Sequence, residues 1–226
     1  MTRAILLFPL LLLSACTTTE PTPRQARALP RVTVLNDGYG RAYQNLNPRP
    51  YTNDDGGRLV ESTIVLIEAE GATIIMDPGM ISKRTDLTDR LAEEGVGVRD
   101  VTHVVYSHHH PDHTVNTALF PSAIVVDYFS TYEGDVWLDH GPEYTIAPGV
   151  KLLRTPGHTD EDATLIVETP DGVFACTHLW GSAGSVGRPD AIAEDPLALE
   201  QNRARILEIA DFIVPGHGPM FRNPRR

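Results

Sequence analysis

The chain is 226 residues long, 41% hydrophobic and 22% charged, enough to bury an ordinary core as a single α/β domain. Its net charge of −11, with no basic stripe, excludes a binder of phosphate backbones, so no nucleic-acid partner is expected. Two cysteines, Cys16 and Cys176, exclude the disulfide framework that staples small secreted domains.

The first residues, MTRAILLFPLLLLSAC, stand apart from the fold. Arg3 gives a short positive start, and Ala4 to Leu13 form an apolar stretch too short to span a bilayer comfortably. Leu13-Ser14-Ala15-Cys16 resembles the lipobox of bacterial lipoproteins, which implies cleavage before Cys16 and acylation of that cysteine. Acyl chains contribute about 0.8 kcal/mol per buried methylene, so such a chain would be lipid-anchored to the membrane. Threonine at position 17, rather than aspartate, points by the same resemblance to the outer membrane of a bacterial cell envelope, facing the periplasm. The expected organisation is therefore a signal peptide over 1–15, a lipidated cysteine with a Thr/Pro-rich tether over 16–30, and a globular domain over 31–226.

Val32 and Val34 alternate with polar neighbours before the turn NDGYG, which predicts a first strand. STIVLIEAEGATIIMDPG reads as a hairpin turning at Glu70-Gly71 and ending at Asp77-Pro78-Gly79. DLTDRLAEEG places Leu87 and Leu91 four apart and stops on Gly95, a short helix. VTHVVYS, SAIVVD and YTIAPGVKLLRTPGHT each bring one strand, and DATLIVETPDGVFACTH brings two around Asp171-Gly172. Asp195, followed by Pro196, is the N-cap of a helix through about Ala210, and DFIV is a final strand. Asp77, the cluster HHHPDH at 108–113, His158, His178 and His217 all fall just beyond the end of an apolar run. Side chains at such strand ends can converge on one rim of a sheet, where α/β sites are commonly found.

The cluster itself predicts metal chemistry. Zinc takes imidazole nitrogen and carboxylate oxygen, and catalytic sites leave a coordination position open for water. His108 and His110, two apart, can point the same way, while His109 between them points elsewhere. Pro111 resists helix at His110 and lets one begin near Asp112, so one loop can serve two sub-sites.

HHHPDH matches the H-x-H-x-D-H signature of the metallo-β-lactamase superfamily, and PGHT at 156–159, the strand end at 178 and PGHGP at 215–219 follow in register. The resemblance spans about residues 31 to 221 and implies a four-layer αβ/βα sandwich, two mixed β-sheets flanked by helices. It implies that His108, His110 and His158 hold one metal and that Asp112, His113 and His217 hold a second. Asp77 would orient a ligand imidazole, and Asp112 would also serve catalysis. His178 departs from the pattern, because most members carry a metal-bridging aspartate there; it is expected as a ligand of one metal, able to bridge two only as an imidazolate. Neutral imidazole offers one lone pair and no negative charge, so the ions expected are one or two Zn²⁺, with iron or manganese as alternatives. His103 and His140 read as strand or surface residues, and His109 as a neighbour packed behind the site.

The activity implied is metal-dependent hydrolysis of a small-molecule ester, thioester, lactone, amide or phosphoester. No serine nucleophile competes, since GSAGS at 181–185 has alanine where a nucleophile elbow has serine. His113 is unlike the lactamase subclass with arginine at that position. It suits the third lactamase subclass, so β-lactam hydrolysis is an alternative. Glyoxalase II-like thioesterases usually add a C-terminal helical domain, and little chain follows His217. A family nuclease would want a basic surface. Two other classes are a mononuclear iron sulfur dioxygenase, which would want aspartate at 178, and a non-catalytic metal-binding lipoprotein. Substrate choice is expected to fall to the loops at 39–59 and 180–195, with Trp180 near the metals.

Overall fold

The computed structural model describes residues 29–42, 58–81 and 83–226; the lipobox, the tether through residue 28 and most of the 39–59 loop lie outside the described residues. Strand β1 (Arg31–Asn36) leads to a separate antiparallel pair, β2 (Tyr39–Ala42) with β3 (Arg58–Glu61). The expected hairpin is β4 (Ile64–Ala69) and β5 (Ala72–Met76), and the expected short helix is α1 (Arg84–Glu93). Then come β6 (His103–Val105), one helical turn α2 (Pro111–Thr114) and β7 (Ile124–Val126). A hairpin of β8 (Ser130–Glu133) and β9 (Val136–Asp139) completes a seven-stranded mixed sheet in the order β1-β4-β5-β6-β7-β8-β9.

The second half folds the same way. YTIAPGVKLLR forms two strands rather than one, β10 (Glu143–Ala147) and β11 (Val150–Arg154), because Gly149 with φ of 77° turns the chain back on itself. The pair β12 (Ala163–Thr169) and β13 (Gly172–Cys176) follows as expected. Helix α3 (Pro196–Ile209) begins where Asp195 accepts the Leu197 and Ala198 amides. Then β14 (Phe212–Val214) lies parallel to β13, and β15 (Phe221–Arg222) closes a six-stranded mixed sheet.

Alternation along the strands decides the layers. In β4 and β5, Val65, Ile67, Ile74 and Met76 face the other sheet and meet Leu152, Leu165, Val167 and Val214. Their neighbours Leu66 and Ile75 face the opposite way, against Leu87 and Leu91 of α1. On the far side Leu153, Ile166 and Ile213 pack on Leu199 and Ile206 of α3. Each fully buried leucine of this kind contributes roughly 1.5–3 kcal/mol. The result is the helix–sheet–sheet–helix sandwich that the sequence implied.

Trp180 belongs to this packing and not to a substrate loop. It is 1% exposed, with the Arg203 guanidinium 5.8 Å from its ring centroid. Arg203, itself buried, donates to the carbonyls of Leu179 and Arg188 and so pins the 180s loop to α3. No helix among the described residues is long and apolar enough to cross a membrane.

Candidate metal centre

Strands β5, β6 and β7 run parallel, as do β13 and β14, so both sheets deliver C-terminal strand ends to the same rim. Backbone bonds stitch the sheets there: the Ala163 amide donates to the Ser107 carbonyl and the Thr63 amide to the Gly216 carbonyl, both at 2.7 Å. After β6 the chain stays extended through His110 (φ −60°, ψ 144°), and Pro111 then opens α2. This arrangement buries His108, Asp112 and His113, and leaves His110 at the exposed mouth. His109 turns away, with Nε2 3.0 Å from Asp127 Oδ2 and Nδ1 2.8 Å from Glu161 Oε1. The hydrogen bond to Asp127, followed by the pull of Glu161, raises its pKa.

Three of the remaining imidazoles share a pattern. His113 Nδ1 lies 2.8 Å from Asp77 Oδ2, His158 Nδ1 2.8 Å from Asp190 Oδ2, and His217 Nδ1 2.9 Å from the Glu61 carbonyl. Carboxylate and carbonyl oxygens only accept, so in each case Nδ1 carries the proton and Nε2 keeps its lone pair. His108 Nδ1 contacts the Ser107 hydroxyl at 3.0 Å. The Nε2 atoms of His108 and His113 are buried without a hydrogen-bond partner. Lone pairs held inward by outer acceptors are what a metal site requires, and a purely structural histidine has no use for them.

Two sets of ligand atoms converge within 4.8 Å: His108, His158 and His178, and His113, His178 and His217. Asp112 Oδ2 adjoins the second set, 3.5 Å from His113 Nε2 and 3.6 Å from His217 Nε2. His110 does not join the first tight set; its ring lies 4.5 Å from that of His108 and 5.2 Å from that of His158, edge-on at the mouth. His178 is common to both sets. Its Nε2 is 3.0 Å from His217 Nε2, and its Nδ1 is buried without a partner. Gly216 makes room for it, since a Cβ there would sit 2.3 Å from His178 Cδ2. Burial first, then mutual repulsion among the rings, pushes His108 and His178 well below the ordinary imidazole range, so both are neutral and able to ligate at pH 7.

A divalent cation therefore fits: the donors are neutral imidazoles and a carboxylate, preformed and partly orphaned. Cys176 adds nothing to this chemistry, because complete burial pushes its thiol up and keeps it protonated. His103, in β6 beside Thr102, and His140, stacked on Tyr144, stay outside the site as expected.

Asp190 and Ser107 escaped the reading of the sequence. Asp190 lies 32 residues from the histidine it holds, and its carboxyl is held below the usual range by that hydrogen bond. Nothing in GRPDAIAED marks it. Ser107, one residue before the histidines, was in plain view but carries no metal-binding signal of its own.

The family model of the metallo-beta-lactamase superfamily matches residues 57–221. The "metallo-beta-lactamase domain-containing protein 1" of Xenopus laevis is 34% identical over 182 residues, covering 76% of this chain and 78% of its own. The protein of that name from Homo sapiens is 38% identical over 165 residues, 70% of this chain and 62% of its own. Among solved structures, an N-acyl homoserine lactone hydrolase with product bound at its catalytic metal centre superposes with TM-score 0.61 at 19% identity, over 85% of this chain and 94% of that one. A candidate metallo-beta-lactamase from Thermotoga maritima gives 0.66 at 21% identity, over 86% and 99%. With the family model matching residues 57–221, sequence kinship spanning the domain and the same sandwich fold, the chain belongs to the metallo-beta-lactamase superfamily.

Proposed function

We propose that this metal-dependent hydrolase opens carboxylic esters, lactones foremost, and that its ligands are His108, His110, His158, Asp112, His113 and His217, with His178 as a seventh. The observation that carries the reading is the inward set of tethered imidazoles with Asp112 lodged between His113 and His217. These residues would hold a divalent ion, with zinc the first choice, which when bound would supply polarisation of the substrate carbonyl and a water acidified toward pH 7. The chain supplies the rest. Asp77, Asp190 and the Glu61 carbonyl hold three rings in one tautomer, so their lone pairs need no rearrangement when substrate arrives. Asp112 orients the attacking water and relays a proton toward the departing alkoxide. His110, exposed at the open side 4.5 Å from the His108 ring, would hold an ion and face substrate at once.

Support for a lactone comes from a curated N-acyl homoserine lactonase of Bacillus sp, 25% identical over 145 residues, 46% of this chain and 57% of its own. The test is turnover by metal-loaded protein on a panel of lactones, linear esters, thioesters and β-lactams. Chelator should abolish it, and Asp112→Asn should lower kcat by about 10²–10⁴. A metal-bound protein inert across the whole panel would refute the proposal.

Residues 3–16 also support export and acylation at Cys16, with a tether to residue 30 and the catalytic domain from 31. The animal relatives lend this no support. A Cys16→Ser protein that still fractionates with bacterial membranes would end it.

A further inference from the structure

Resting on the metal-hydrolase reading, we infer that His178 makes this a one-ion centre: a single divalent cation binds tightly and a second binds at least about 100-fold more weakly. The argument begins with sharing. His178 is the one side chain in both convergent sets, lying with His108 and His158 on one side and with His113 and His217 on the other. A carboxylate in that place could give one oxygen to each ion. A neutral imidazole has one lone pair, so it completes one set and leaves the other short of a ligand.

The ring also lacks an outer oxygen to tether it. His113, His158 and His217 each have Nδ1 tied to an oxygen that accepts its proton. For His178 no such acceptor exists among the described residues, and its Nδ1 is buried without a partner. No outer oxygen fixes its tautomer; its hydrogen-bond partner is a fellow ligand, His217, whose Nε2 accepts the His178 Nε2 proton at 3.0 Å, a contact that an ion between them would replace. The ring packs directly against Gly216, where any Cβ would collide with it.

Charge points the same way. Asp112 is the one carboxylate among these ligands, while Asp77 and Asp190 are spent on Nδ1 protons behind the rings. Two cations, four positive charges, would share that single ligand carboxylate inside a buried site. Ions in low dielectric are costly unless compensated by direct negative ligands. The second ion bears that penalty.

The experiment is a Co²⁺ and Zn²⁺ titration of metal-stripped protein. Visible absorbance follows cobalt, and elemental analysis follows retained ions after gel filtration. Wild type is expected to saturate at one ion per chain, and His178→Asp at two, with second-ion affinity raised at least about 100-fold. Wild type retaining two ions of matched affinity overturns the inference, as does a folded His178→Asp whose second-ion affinity is unchanged. The wild-type stoichiometry decides alone if the variant does not fold. Binding of no ion at all overturns both this inference and the hydrolase reading. One tight ion with no turnover on any substrate overturns the hydrolase reading alone.

Discussion

Asp77 offers the sharpest separation of stability from metal binding. Its carboxylate is buried, with Oδ1 accepting the Ser107 amide at 2.7 Å and Oδ2 accepting His113 Nδ1 at 2.8 Å. Its φ is +53°, a left-handed conformation that Asp and Asn tolerate better than other side chains with a Cβ. Asp77→Ala strands two buried donors at roughly 1–3 kcal/mol each, and adds about 1 kcal/mol of backbone strain. The expected loss is about 3–7 kcal/mol, a large share of a domain's stability. Asp77→Asn behaves differently. The amide oxygen can keep the Ser107 bond while its NH₂ faces His113 Nδ1, and the ring answers by moving its proton to Nε2. Most of the stability is retained, but the lone pair meant for the ion is gone, and affinity should fall about 10–100-fold. Urea unfolding of chelator-treated protein, set beside zinc titration, measures the two effects separately. An Asn variant as unstable as the Ala variant, or one that binds zinc like wild type, would refute the tautomer argument.

Two further predictions come from the loop that carries His158. Burial, against the opposing bonds from Thr159, pushes the Asp162 carboxyl up to about 6. The folded protein therefore holds this proton more tightly than the unfolded chain, and stability falls as pH rises from about 4 to about 6. In chelator-treated protein, Asp162→Asn should gain on wild type by up to about 3 kcal/mol across that window, and parallel stability curves for the two would refute it. In the same loop, a Cβ on Gly157 would sit 2.4 Å from the Leu199 Cα of α3, a clash with backbone that no rotamer relieves. Gly157→Ala should push His158 off the rim, costing about 1–3 kcal/mol of stability and weakening ion binding; unchanged zinc affinity would show that the loop is not held by this contact.

How much could be read without coordinates follows from where the information resides. DPG, HHHPDH, PGHT and PGHGP concentrate unusual residue types in short loops, and each loop landed on the shared rim. The β4–β5 hairpin and both longer helices were legible because alternation and the four-residue spacing of Leu87 and Leu91 report burial directly. The β8–β9 hairpin was not. Val136, Trp137 and Leu138 lie exposed on the edge strand, so burial imposes no alternation there. Nor was the role of His178 in both sets legible, because it depends on how closely β13 and β14 bring two loops together.

The stitching of the two sheets has one more implication. Residues up to 113 supply His108, His110, Asp112 and His113, while His158, His178 and His217 come from beyond residue 143. Neither half of the polypeptide carries a full coordination sphere, so a cation seated at the seam buckles one half to the other. Occupancy thereby becomes a gauge of whole-chain integrity: damage deep in either hydrophobic cluster would register as a leaking ion before any strand is lost.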